Sequence, residues 1–492
     1  MSLPGNTPVL VGIGTACRRE EDYLRALEPM DLMLEAVLAA GKDSTASAML
    51  AGLQYIAVPR GRWSYSNPAG AIAHAVGAGN ATTVLTSVGV LQQTLIGEAC
   101  AKIARGEVHT ALVAGADAGY RLLRAQIAGQ QASERQQEAE PWGQPDIYIS
   151  PKDELRHAVE KRAGLQMPVG LYAIMESAFR ASKGWTVPTH LDQLAAMGEG
   201  FSQVASENPH AWQKTAVDAA AIREASSRNP LQAFPYTRSH CSTWNVDQAG
   251  ALLFCSAARA EQLGVPRGQW IFPVASTESN HMVAVSARAD LAACPGARIT
   301  GLAALNAGDA QASEIDLIDL YSCFPFAVEA YADALDIPLT RALTVTGGMA
   351  FAGGPYNNYL FQATCRAAEL LRQGKGRTAL VSCVSGVLTK QAFGLWSVEA
   401  PPRGFINADL SDDVAREVGV LEVVSDFTGP AKIAGYTVLH GRGQLPRGIA
   451  LVDTPQGQRA MTTTENPHFI ASMQIDELVG QHVHIEQNTL IA

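Results

Sequence analysis

Two stretches far apart in the chain share one pattern. Leu91 to Gly119 reads LQQTLIGEACAKIARGEVHTALVAGADAG, and Leu360 to Val387 reads LFQATCRAAELLRQGKGRTALVSCVSGV. Each opens with apolar residues at helical spacing: Leu91, Leu95, Ile96, Ala99 and Ile103 in the first, Leu360, Ala367, Leu370 and Leu371 in the second. Each then runs into a basic residue and a glycine, the pairing that closes a helix. Both continue with TALV, a short apolar run suited to a buried parallel strand, and end in small residues that let a ligand approach. A weaker correspondence joins Met49–Gly61 to Ala312–Phe324, each an extended apolar segment ahead of its repeat unit. The reading is a duplicated α/β architecture. A chance likeness between two ordinary helix–strand units is the alternative.

The remaining texture divides the chain. Residues 1–120 form the first half. Residues 121–232, rich in Gln, Glu, Ala and Arg, read as an inserted, mainly helical segment with helices near Met167–Ala181 and Pro188–Ser206. Residues 233–267 return to the first half, and 268–400 form the second. From 405 to 492 short β-rich runs alternate with Gly, Pro and Asp-Thr-Pro turns, which predicts a small β-barrel of OB-like form. That tail carries 5 basic and 11 acidic side chains, and the whole chain 37 against 47, a net charge of −10. An OB module that binds nucleic acid needs a basic groove with stacking aromatics, so the acidic balance speaks against a nucleic-acid role for the barrel, and neither nucleic acid nor an anionic membrane is expected as a partner.

The start of the chain lacks a basic, then apolar, leader, and no apolar stretch is long enough to span a bilayer, so a cytoplasmic protein without membrane partners is expected. The eight cysteines are scattered with no CxxC pair. A disulfide framework and a metal site are therefore not expected, which leaves buried thiols or a catalytic one.

The stretch GGMAFAGGPYNNY, Gly347 to Tyr359, has four glycines among its first eight residues. Such a segment brings its backbone close to something. Taken with the two halves, the insertion, the SCVSG loop and the segments VLVGIG, IDLIDLYSCF and SENPHAW, it resembles the thiolase superfamily. The likeness runs from about Pro8 to Ser397 and is nearest to the sterol-carrier-protein branch, in particular the thiolase-like proteins called type 1, which carry a fused barrel.

That resemblance implies a five-layer αβαβα fold and a CoA thioester as substrate or ligand, with no permanently bound cofactor. It also implies four catalytic elements. The nucleophilic cysteine of the family falls on Gly89. The Asn or His of the NEAF or HDCF motif falls on Tyr321, followed by Ser322, Cys323 and Phe324. The histidine of GHP falls on Gly354. Only the last-loop cysteine, which moves a proton at the substrate α-carbon, is matched, by Cys383. With nucleophile and imidazole both missing, an acyl-enzyme route is not expected, because such groups act as a unit.

The candidate catalytic residues are Cys383, Tyr321 and Tyr356, the phenols as donors or relays to an alkoxide in a retro-aldol cleavage. Gly89, Gly353, Gly354, Ser385 and Gly386 are the candidate substrate-binding positions. His240 and His281 are considered as replacements for the lost imidazole, each with a structural role as its alternative. Cys100 lies too deep in its helix to replace the nucleophile, and Ser87 has no neighbouring base. Two functions stay open: an acyltransferase-like or retro-aldol enzyme acting on acyl-CoA, and a non-catalytic acyl-CoA-binding or scaffolding protein. A homodimer, or a protein partner held by the barrel, completes the expectation.

Overall fold

The computed structural model of the protein describes residues 3–135, 143–151, 154 and 156–491; part of the expected insertion, 136–142, lies outside them. The repeat appears as two helix–strand pairs, Gln92–Ala104 with Thr110–Ala118, and Tyr359–Arg372 with Thr378–Ser385. Gly106 and Gly374, just past each helix, take left-handed backbone with φ of +73° and +71°. That conformation costs glycine nothing, so it ends both helices at the same point of the repeat.

The two halves also share a sheet path. In the first, neighbouring strands run Tyr55–Pro59, Thr110–Ala118, Asp247–Ser256, Pro8–Cys17; in the second, Leu317–Asp319, Thr378–Ser385, Lys390–Ser397, Phe272–Ser279. Both paths read parallel, antiparallel, antiparallel. The weaker correspondence therefore also holds, since its two segments supply Tyr55–Pro59 and Leu317–Asp319.

The two repeat helices lie in one layer between the sheets and share an apolar core with both. Close approach there requires small residues: a Cβ on Gly250 would sit 2.8 Å from the Cβ of Phe361. Helices Pro29–Asp43 and Pro68–Val76 cover the outer face of the first sheet, and Pro295–Ala307 and Pro325–Ala334 that of the second. Five layers result, α, β, α, β, α. Strands Thr110–Ala118 and Asp247–Ser256 are buried at every residue, which is why TALV and its neighbours carry no alternation.

The insertion contributes helices Pro168–Ser182 and Val187–Glu207, each beginning at a proline-containing first turn. The barrel closes through five strands: Gly429–Leu439, Arg447–Asp453, Arg459–Thr464, Thr489–Ile491, His482–Glu486 and back to the first. It rests on the insertion. Buried Arg180 reaches Glu477 and the Tyr436 hydroxyl, both at 2.7 Å, and Tyr436 N–H donates to Ser177 Oγ at 2.8 Å.

Strand pairing moves two expected boundaries. Ile406–Asp409 pairs parallel with Phe272–Ser279, so the second-half sheet continues past 405 and the barrel proper begins near 429. Leu231–Ala233 joins the barrel strand Gly429–Leu439 at its end, so the chain leaving the insertion touches the barrel before it rejoins the first sheet.

Candidate active site

The N-terminal ends of the two repeat helices meet in the middle layer. Gln92, the first residue of one, accepts from Leu360 N–H of the other through Oε1 (2.9 Å) and approaches Asn357 Oδ1 through Nε2 (3.4 Å). Helix N-termini carry partial positive charge and unpaired N–H groups, so the point where they converge favours a developing oxyanion.

Cys383 stands there. It lies near the end of strand Thr378–Ser385, fully buried, with the backbone N–H groups of Gln93 and Gln92 near enough to favour its thiolate. Burial pushes the thiol up to about 12, against the opposing pull of those two N–H groups. Cys383 is therefore a neutral acid at ordinary pH, which suits proton donation to carbon and not nucleophilic attack.

Tyr321 follows the second-half strand Leu317–Asp319, its N–H donating to Ser382 Oγ at 2.8 Å, one residue from Cys383. Its ring meets Tyr359 edge to face at 5.7 Å. Burial drives its phenol well above 10, with the nearby Cys323, Cys383 and Tyr356 adding to the rise. Tyr359 is committed elsewhere: its hydroxyl donates to Asp319 Oδ1 at 2.8 Å and pairs with Thr346 Oγ1 at 2.6 Å. Asp319 also gathers Thr344 Oγ1 and the N–H groups of Val345 and Thr346, which locks the loop entering the glycine-rich stretch.

Other expected residues are placed differently. Tyr356 lies on the rim, 36% exposed, beside the Arg62 guanidinium, which is 6.0 Å from its ring and paired with buried Asp117. It is close enough for its charge to reach Tyr321, but it is not part of the Cys383 group. Ser385 and Gly386 form the turn after the Cys383 strand, Gly386 at φ +69° and Ser385 in register with Lys390.

The glycine-rich stretch is covered by protein. A Cβ on Gly353 would collide with the Gln248 amide, and one on Gly354 with Ser242 Oγ and Met349. Trp212 N–H and Gln213 N–H donate to Ala352 and Phe351, and Thr243 N–H to Met349. Gly353 and Gly354 thus give their close approach to the segment 241–243 and to Gln248, which corrects the expectation that they face a thioester.

Gly89 is buried with φ +101°, and a Cβ there would lie 2.9 Å from Pro151 Cγ. It sits two residues ahead of the helix N-cap Leu91. Its carbonyl accepts from the buried Lys390 ammonium at 3.3 Å.

His240 is buried, bonds Thr237 through Nδ1, and is pushed down to about 4 by burial, so it stays neutral. His281 faces a separate cavity of about 230 Å³ with Arg288, Cys294 and Gln391.

Sequence reasoning missed Glu278 and Lys390. Glu278, next to last in the strand Phe272–Ser279, is buried and is raised to about 7 chiefly by burial, while Thr94 Oγ1 (2.6 Å) and Asn280 Nδ2 (2.9 Å) hold its two oxygens. Its charge is felt at Cys383. The signal was available: an acidic side chain inside VASTES, in a strand otherwise of apolar and hydroxyl residues, is costly unless used or paired.

Two related halves, a central pair of repeat helices and a cysteine loop over their ends define the thiolase fold, and this chain has it. Over its whole length it matches the crystal structure of a monomeric SCP2-thiolase-like protein type 1 from Mycobacterium smegmatis, with a TM-score of 0.82, 24% identity and 100% of both chains covered. It also matches the Ltp2–ChsH2(DUF35) aldolase (TM-score 0.60, 16% identity, 80% of this chain and 98% of that one) and human mitochondrial 3-ketoacyl-CoA thiolase (0.57, 14%, 80% and 99%). No family model matches the sequence. At these identities the likeness establishes the fold.

Proposed function

We propose that the protein acts on acyl-CoA thioesters by proton transfer and carbon–carbon cleavage, without an acyl-enzyme. The observation that carries this reading is the neutral Cys383 thiol held against two helix N-terminal N–H groups, with no nucleophile at Gly89 and no imidazole at Gly354. Relatives in fold support the substrate class: human mitochondrial 3-ketoacyl-CoA thiolase is known in complex with CoA, and another match is an aldolase.

The reaction that fits is a retro-aldol cleavage of a 3-hydroxyacyl thioester. The bond between the α- and β-carbons breaks and its electron pair moves to the thioester oxygen as an enolate. The β-carbon leaves as a carbonyl, and its hydroxyl proton passes to the Tyr321 oxygen while the phenol proton moves on. Cys383 protonates the α-carbon, and the proton relayed by Tyr321 restores the thiol. One proton leaves oxygen and one reaches carbon, so no external acid or base is consumed.

The alternative, a binding or scaffolding protein, draws on the filled space at Gly354 and the proline against Gly89. The deciding experiment incubates the protein with 3-hydroxyacyl-, 3-oxoacyl- and acyl-CoA and follows masses, with Tyr321→Phe and Cys383→Ala alongside. A shortened acyl-CoA and a carbonyl product, both lost in the variants, are expected. Intact thioesters with saturable CoA-dependent thermal stabilisation would transfer the assignment to binding alone.

A further inference from the structure

Away from this site, three fully buried titratable side chains converge from three helices. Glu176 comes from Pro168–Ser182, His190 from the first turn of Val187–Glu207, and Glu329 from Pro325–Ala334. One ligand atom from each lies within 4.8 Å of the other two. The chain spacing is irregular, so no metal-ligand motif stands in the sequence.

Their hydrogen bonding is divided in an informative way. Tyr236 O–H donates to Glu176 Oε2 at 2.5 Å and Gln193 Nε2 to Glu329 Oε1 at 2.9 Å. Among the described residues no neutral donor reaches the other oxygens, Glu176 Oε1 and Glu329 Oε2, and neither ring nitrogen of His190 makes an aligned hydrogen bond; the two carboxyls and the imidazole face one another. His190 Nε2 stands 3.1 Å from Glu176 and 3.4 Å from Glu329, yet makes an aligned hydrogen bond to neither. Each carboxylate thus has one oxygen fixed by a neutral donor and one left over; Glu176 turns its left-over oxygen to His190 Nε2, while Glu329 meets the ring with the oxygen that Gln193 holds. Outer donors that orient inner ligands are the usual companions of a metal.

We propose that Glu176, His190 and Glu329 hold a divalent metal ion, with Tyr236 and Gln193 orienting the two carboxylates. One nitrogen and two oxygens suit zinc or manganese. Ligand atoms around such an ion are roughly 3.4 Å apart for bonds of about 2.1 Å, so the observed group needs only a small contraction. Without an ion, a proton on His190, whose pKa the two carboxyls raise, and one on Glu329, whose pKa burial raises, balance the group; a divalent ion with a neutral imidazole would replace both protons. The ion would join two helices of the insertion to the outer helix of the second half. Tyr236 also stacks on Phe324 at 5.8 Å and accepts from Phe326 N–H at 3.4 Å, so the ion would brace the segment that begins at Tyr321.

The test refolds the full-length chain from denaturant in chelator, in zinc and in manganese, since a buried ion is captured as the chain folds. Elemental analysis after desalting is expected to give about one zinc or manganese per chain. Melting is expected at least about 2 °C higher than for chelator-refolded protein. Both effects should vanish in Glu329→Gln and His190→Gln, which keep side-chain size. If these variants do not fold, Gln193→Leu removes only the amide donor and should release the metal to chelator at least about tenfold faster than the native chain. Less than about a tenth of an equivalent of either metal with no melting shift, equal metal in the Gln variants, or unchanged release from Gln193→Leu would each overturn the proposal.

Discussion

Replacing Glu278 with Gln should stabilise the protein, and only above a defined pH. The folded-state carboxyl titrates near 7 against an ordinary value of 4.5, because burial outweighs its hydrogen bonds and because Asp409 and Glu98 add negative charge nearby. Between those values the unfolded chain gives up the proton while the folded chain keeps it, so stability falls as pH rises from about 4.5 to about 7 and then levels. At 1.36 kcal/mol per pKa unit the full loss is about 3 kcal/mol. A glutamine reproduces the protonated acid: its N–H₂ can face Thr94 Oγ1 and its oxygen can accept from Asn280 Nδ2, the two partners Glu278 has. The two proteins should therefore melt together at pH 4.5 and separate by about 3 °C at pH 8, with the variant higher. Thermal unfolding followed by calorimetry from pH 4.5 to 8.5 measures this. A difference that does not change with pH, or a variant less stable at pH 8, would refute the argument.

Three further outcomes follow from single contacts. Gly354→His should lose about 1–3 kcal/mol of stability and gain no thiolysis activity, because its Cβ meets Ser242 Oγ; adding Ser242→Gly should recover part of the loss, and a stable, thiolytic single variant would contradict this. Native Cys383 should resist iodoacetamide at pH 8 while the unfolded chain reacts, as peptide mapping by mass spectrometry would reveal; labelling at the rate of a surface thiol would show the sulfur to be open and ionised. Arg180→Met should cost about 3 kcal/mol by stranding its partners Glu477 and Tyr436, and should open the joint between insertion and barrel to limited proteolysis; native-like resistance would mean the barrel is held by other contacts.

The layers of the fold were legible because duplication and helical spacing are written along the chain. Both repeat helices and both TALV strands lie where the pattern put them, and the barrel closes as its turn-punctuated runs suggested. Boundaries at 405 and 233 were not, since Ile406–Asp409 and Leu231–Ala233 are short strands whose partners lie far away in sequence. At the site, Cys383 and Tyr321 are singled out only through the resemblance; Cys383 lies within the repeat strand Thr378–Ser385 and Tyr321 two residues past Leu317–Asp319. Glu278 and Lys390 acquire meaning only from burial against Thr94 and Gly89, a long-range fact that composition does not carry. The glycine-rich stretch was read correctly as a place of close approach, but what approaches is Gln248 and the 241–243 segment.

That last difference bears on whether a nucleophilic thiol and an imidazole could stand at Gly89 and Gly354. If Gly89 and Gly354 were simple side-chain losses, vacant space would remain for a thiol and an imidazole. Instead Pro151 stands against Gly89, whose backbone at φ +101° is one a cysteine adopts only under strain, and Ser242 fills the place of a side chain at Gly354. Lys390 further ties the Gly89 carbonyl to the turn after Cys383. The surroundings are therefore built around glycine at both positions, and reverting either residue alone would meet protein where the family has a functional group. On the reading proposed above, chemistry at this site draws on Cys383, Tyr321 and the helix N-termini, the groups that this backbone brings together.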